Sequence, residues 1–246
     1  MSSSIYTSRE FGDEVAAKAA LLVAGYNGRI ADVETAAISL ADNGFNVIAY
    51  DFNPDAINSG NPDDLPKAIQ ELTEDFRTRT LEYQTIQPAG VSMGAGFAWA
   101  TQKRSETEPE TDQIILPGIY AAEGANSADG IFVKPSNPVM YAVVRGIRKA
   151  YEDKGYDHEA LRDAWSEIHK PPKSGFAVVL GGLDYVVRYR EIMRNIDMWK
   201  TSGIPIKTLT RRAKAHAGTI DWYNHNIPTM LTAVKSLDQQ AHPGSV

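Results

Sequence analysis

The chain of 246 residues predicts an α/β fold: a doubly wound, mostly parallel sheet with helices on both faces. Three observations carry this expectation. Short, nearly continuous apolar runs at 20–24, 45–50 and 176–180 read as strands buried on both sides. Longer segments between them repeat apolar residues at helical spacing. The two signals alternate, as units of a parallel sheet and its crossover helices must.

The first strand, 20–24, ends at Gly25. Residues 30–43 suit a helix, with Ile30, Val33, Ala37, Ile38 and Leu40 near one face; Gly44 can then take the left-handed conformation that ends it. A second strand, 45–50, closes at Asp51, and a polar loop follows over 52–65. Next come a helix over about 65–83, a strand over 85–90 and a helix from 93 to about 102. Residues 103–112 read as a charged loop and 114–120 as a strand. Over 123–172 the alternation breaks: Gly, Ser, Asn and Pro precede a helical pair near 137–154 and 158–168. It resumes with a strand at 176–180, a helix near 186–201, a strand at 204–209, a terminal helix over 219–236 and a loose tail. Little chain precedes the first strand, so the sheet is expected to be trimmed at that edge. Residues 1–246 read as one domain, with 123–172 a lid or cap insertion too poor in core residues to stand alone.

Composition bounds the function. With 43% hydrophobic and 23% charged residues, disordered and fibrous classes are excluded. A formal net charge of −6 disfavours nucleic acid and anionic membrane surfaces as partners. The chain has no cysteine, hence no thiolate nucleophile and no disulfide framework. His158, His169, His216, His225 and His242 are scattered without metal-ligand spacing, so no metal is expected. The apolar stretch at 15–24 is far below the roughly 20 residues of a membrane span, and no basic segment followed by an apolar run opens the sequence. The expectation is a soluble cytoplasmic protein, of oligomeric state the sequence leaves open.

One motif carries chemistry. Gly90-Val91-Ser92-Met93-Gly94 fits G-x-S-x-G, flanked by an extended segment and a helix-compatible run through Ala95, Phe97, Ala98, Trp99 and Ala100. A serine on a tight strand-to-helix turn is pushed into a cleft, and glycines on either side prevent collisions where the chain doubles back. The helix that follows points its positive end where an oxyanion forms.

On these residues the chain resembles the α/β-hydrolase family from about 20 to 230, apart from the insertion. Ala24-Gly25-Tyr26-Asn27-Gly28 is similar to the family's His-Gly-x-x-Gly stretch, with Ala24 in place of the histidine. Gly44 to Asp51 looks like its strand leading to an aspartate and a polar loop. The resemblance implies backbone N–H groups of Tyr26 and Met93 as oxyanion donors. Gly181-Gly182-Leu183-Asp184 resembles the acid motif after a strand, and Ala215-His216-Ala217-Gly218 stands where the family places its histidine. Ser92, Asp184 and His216 would then form a catalytic triad, with Asp184 as a helix cap, His216 as a plain loop residue and His225 as a rival base the alternatives. The implied activity is hydrolysis of a carboxylic ester or related acyl bond through an acyl-enzyme, on a small-molecule acyl substrate and without a cofactor.

Two other classes fit parts of the sequence. A non-catalytic binding protein of the same fold is one. The other is a short-chain dehydrogenase-like oxidoreductase, suggested by Gly25-Tyr26-Asn27-Gly28, Asp51 and the Tyr151-x-x-Lys154 pair. Against it, Ala31 replaces the third glycine. Lys207, Arg211, Arg212 and Lys214 read as a solvated edge beside the site, or as an anion-binding patch. Phe132, Tyr141, Tyr151 and Trp165 in the insertion fit a pocket lining or helix packing equally well.

Overall fold

The computed structural model describes residues 2–7, 18–107, 112–121, 138–165, 171–184 and 189–241. Its strands are β1 (Ser3–Tyr6), β2 (Lys18–Val23), β3 (Asn46–Tyr50), β4 (Thr85–Val91), β5 (Ile114–Ile115), β6 (Gly118–Ala121), β7 (Phe176–Gly181) and β8 (Ile206–Arg211). They form one sheet in the order β1-β3-β2-β4-β6-β7-β8, with β5 beside β4. β1 runs antiparallel to β3, and every other pairing is parallel. The trimmed edge expected from the sequence is therefore a single antiparallel strand among the described residues.

The helices are α1 (Glu34–Asp42), α2 (Asp55–Asn58), α3 (Asp64–Thr80), α4 (Met93–Thr107), α5 (Pro138–Asp153), α6 (His158–Trp165), α7 (Tyr189–Thr201), α8 (His216–His225) and α9 (Ile227–Ala241). A 3-10 turn, Ile30–Val33, leads into α1. Strand alternation sorts the core into two layers. Ala19, Leu21 and Val23 of β2 pack with Leu65, Leu72 and Phe76 of α3, with Phe97 and Trp99 of α4, and with Ile192 and Ile196 of α7. Ala20, Leu22 and Ala24 face Val33, Ala37 and Leu40, and Tyr223, Met230 and Val234 of α8 and α9. Helices thus cover both faces, as a sheet of buried parallel strands requires.

Four elements differ from expectation. The polar loop after β3 contains the short helix α2, and α4 runs on to Thr107 where a loop was expected. The strand expected over 114–120 is split into β5 and β6 by Pro117, which has no N–H to give a ladder. The buried Gln87 side chain spans that gap, donating from Nε2 to the carbonyls of Pro88 (3.0 Å) and Pro117 (2.9 Å). The single terminal helix is in fact two: α8 starts at His216, ends before Asn226, and α9 begins at Ile227 with Pro228 in its first turn, where a missing N–H costs no hydrogen bond.

Residues 123–137 and 166–170 of the expected insertion lie outside the described residues, as do Phe132, His169 and His242. The rest of the insertion follows β6 as α5 and α6, whose Ile147, Tyr151 and Ala164 are buried in the same layer as α3 and α4. No helix among the described residues is long and apolar enough to cross a membrane.

Candidate active site

The parallel strands add in the spatial order second, first, third. β3 lies on one side of β2 and β4 on the other. The chain therefore leaves the sheet in opposite directions at the C-terminal ends of β2 and β4, the kind of switch point at which open α/β sheets bind ligands. The dinucleotide-binding order differs, because its third strand adds beside the second. β4 pairs with β2 instead, which contradicts the dehydrogenase-like reading. Tyr151 of that reading's Tyr-x-x-Lys pair is buried in the core, its hydroxyl donating to the carbonyl of Asn61 at 3.4 Å.

Ser92 is the single residue between β4 and α4, at φ 51. A non-glycine residue there carries a cost of roughly 1–3 kcal/mol and persists only when its surroundings dictate it. They do. The Ser92 N–H donates to the carbonyl of Ala121 at 2.7 Å, and the Ala95 N–H to the carbonyl of Ser92 at 3.1 Å. The flanking glycines are sterically required: a Cβ at Gly90 would lie 2.8 Å from Ala95 Cα, and one at Gly94 would run into the carbonyl of Ala24. Loop 24–30 presses on the serine from the other side, since a Cβ on Gly25 would sit 3.2 Å from Ser92 Cβ.

That loop is held by the segment after β3. Asp51 Oδ1 accepts the Ile30 N–H at 2.7 Å, and the Gly28 carbonyl accepts the Phe52 N–H at 3.1 Å. Asp51 thus has a structural partner. Tyr26 follows Gly25 directly, while Met93 opens α4, where a first-turn N–H has no partner within the helix. Among the described residues neither the Tyr26 nor the Met93 N–H donates to another backbone group.

Asp184 and His216 come from the ends of β7 and β8. The Gly182 N–H bonds the Arg211 carbonyl at 3.0 Å and the Leu183 N–H bonds the Lys214 carbonyl at 3.1 Å, so the two loops are laced together. His216 is the first residue of α8. Its Nδ1 lies 2.8 Å from Asp184 Oδ2 and its Nε2 lies 2.9 Å from Ser92 Oγ. The Asp184 side chain is 1% exposed and that of His216 20%. A carboxylate can only accept, so Nδ1 carries the proton and donates, which leaves the Nε2 lone pair to accept from the serine hydroxyl.

The other sequence candidates stand apart from this group. His225, at the far end of α8, bonds the Asp221 carbonyl at 2.9 Å from Nδ1 and is not paired with Ser92. Lys207 is the second residue of β8 and Arg211 its last, so Lys207 lies four residues along the strand from Arg211, which Arg212 and Lys214 follow. Arg211 stacks on Trp222, its guanidinium carbon 3.8 Å from the ring centroid. Among the described residues no group of three or more His, Asp or Glu side chains could hold a metal ion. The contacts of Asp51 and Asn58 with loop 24–30 were not legible: both lie far from it in sequence, within or beside a stretch that reads only as a polar loop.

No family model and no curated protein matches the chain in sequence. Solved structures do. Est1E from Butyrivibrio proteoclasticus, with ferulic acid bound, superposes with a TM-score of 0.64 at 11% identity, over 96% of this chain and 95% of its own. An esterase from Pyrobaculum calidifontis gives 0.62 at 16% identity, over 96% and 79%. The inhibited esterase B from Lactobacillus rhamnosis gives 0.58 at 12%, over 98% and 90%. The chain has the α/β-hydrolase fold.

Proposed function

We propose that the chain is a serine hydrolase that cleaves carboxylic esters of small or medium acyl groups through an acyl-enzyme. The observation that carries the reading is the hydrogen-bonded series Ser92 Oγ, His216 Nε2, His216 Nδ1, Asp184 Oδ2, with links of 2.9 and 2.8 Å, on a strained turn at the switch point of the sheet. In the first half-reaction His216 Nε2 takes the Ser92 proton as Oγ attacks the ester carbonyl carbon. The carbonyl oxygen becomes an oxyanion, for which the N–H groups of Tyr26 and Met93 are the donors. His216 then gives its proton to the leaving alkoxide, and Asp184 holds the imidazole in the required tautomer and stabilises the cation formed in between. In the second half-reaction His216 deprotonates water, which attacks the acyl carbon; Ser92 leaves as the alkoxide and recovers its proton from His216.

The reading extends to domain organisation: one domain across 1–246, with 123–172 a lid that chooses the substrate. Thioesters, amides and peptides share the chemistry, while the esterases among the structural neighbours favour esters. Hydrolysis of a p-nitrophenyl acyl-chain series by the wild type and Ser92→Ala tests the proposal. Turnover that peaks at a short or medium chain and disappears in the variant is expected. Equal turnover in the two proteins, or none by the wild type on any chain, would remove it.

A further inference from the structure

The Tyr26 side chain is pinned on two sides. Its hydroxyl donates to Asn58 Oδ1 at 3.1 Å, and its ring packs on Phe52 with centroids 5.6 Å apart. Phe52 meets Phe97 edge-on at 5.2 Å, and Phe97 belongs to the helix that starts next to Ser92. Asn58 is the last residue of α2. Two residues on, at Gly60, the chain passes so close to α5 that a Cβ would run into the carbonyl of Ala150. The Tyr151 hydroxyl of α5 also reaches the Asn61 carbonyl. α2 and the residues after it thus touch loop 24–30 on one side and α5 on the other.

We infer that Asn58 is a positioning residue: by accepting the hydrogen bond of the Tyr26 hydroxyl, it fixes the loop that carries the Tyr26 N–H and ties that loop to α5. The inference rests on the proposed roles of Ser92 as nucleophile and Tyr26 N–H as oxyanion donor. Asn27, the next residue, sits at φ 56, so the loop is strained and relaxes unless contacts over-determine it. Asp51 and Phe52 grip its distal half, at Ile30 and Gly28. Asn58 grips Tyr26 itself. A donor displaced by a fraction of an ångström still admits the ester but fits the oxyanion poorly, so the loss falls on kcat and not on KM.

The test is steady-state hydrolysis of p-nitrophenyl butyrate, with thermal unfolding alongside, for wild type, Tyr26→Phe, Asn58→Ala, Asn58→Asp and the double variant Tyr26→Phe/Asn58→Ala. Each of the first two variants is expected to lower kcat by about tenfold with KM within about twofold, and the double variant to be no worse than either alone. Asn58→Asp keeps an acceptor oxygen and is expected to retain wild-type kcat, and Tm should move by less than about 2 °C throughout. Wild-type kcat in both single variants, losses that multiply in the double variant, or losses that follow Tm would overturn the inference while Ser92-dependent turnover by the wild type keeps the proposed function. A wild type without that turnover overturns both.

Discussion

At the scale of single residues, the site is built from groups that would be unfavourable elsewhere. Ser92 holds a left-handed backbone, and Asp184 places a carboxylate where almost no water reaches it. The sharpest prediction concerns Asp184→Asn. The amide can donate to Nδ1 and so stabilises the tautomer whose Nε2 carries the proton, which cannot accept from Ser92. A fall in kcat of about three to four orders of magnitude is expected with little change in shape; ester kinetics and circular dichroism on the same preparation check it. Gly94→Ala should fail differently, because its Cβ meets backbone that cannot step aside. Its expected cost of about 3 kcal/mol or more in denaturant unfolding is that of a backbone clash. Ser92 was legible because a local steric demand leaves a local signature, two glycines at fixed distance. Pairing Asp184 with His216 rested on resemblance, since 32 residues separate them in sequence. The link from Tyr26 to Asn58 had no signature at all: a tyrosine hydroxyl and an amide fit countless surfaces.

Elements were legible in kind more often than in extent. α8 and α9 read as one helix over 219–236 because the apolar spacing of Tyr223, Ile227, Met230 and Val234 continues across Asn226, and periodicity does not report a break that preserves the buried face. That break matters to the site, since it accompanies an earlier start that makes His216 the first residue of α8. Pro117 was visible but its remedy was not; only the fold brings the Gln87 amide to the Pro117 carbonyl. At this scale the prediction is Gly60→Ala. Gly60 has φ +72 and faces the Ala150 carbonyl, so alanine adds strain and displaces α5. A loss of roughly 1–3 kcal/mol is expected, read from urea midpoints, whereas Gly155→Ala, at φ +82 but with open space around it, should be the milder of the two.

For the whole molecule, alternation announced a doubly wound sheet but not the order of its strands, because order is set by long-range pairing that no short window contains. That order creates the switch point of the sheet, so the location of the candidate site was less legible than its proposed nucleophile. A global property follows from the buried phenols. Burial raises Tyr50 and Tyr223 far above the ordinary tyrosine value and pushes Tyr151 up to about 12, with Asp64 and Asp63 adding to the shift at Tyr151. These groups are neutral when protonated and are raised on folding. Their contribution is therefore fully present below about pH 10, the unfolded value, and is lost as pH rises through the folded values. Urea midpoints should fall steadily between about pH 10 and 12, and Tyr151→Phe should flatten that slope. A midpoint indifferent to pH across that range would contradict the assignment of those burials.

The proposed chemistry requires a reactive hydroxyl at Ser92 served by His216. Mass spectrometry of the intact protein and of its tryptic peptides after treatment with a fluorophosphonate tests it most directly. One adduct on the Ser92 peptide is predicted, absent from Ser92→Ala and formed far more slowly in His216→Ala. An unmodified wild type, or an adduct that survives in Ser92→Ala, would contradict it.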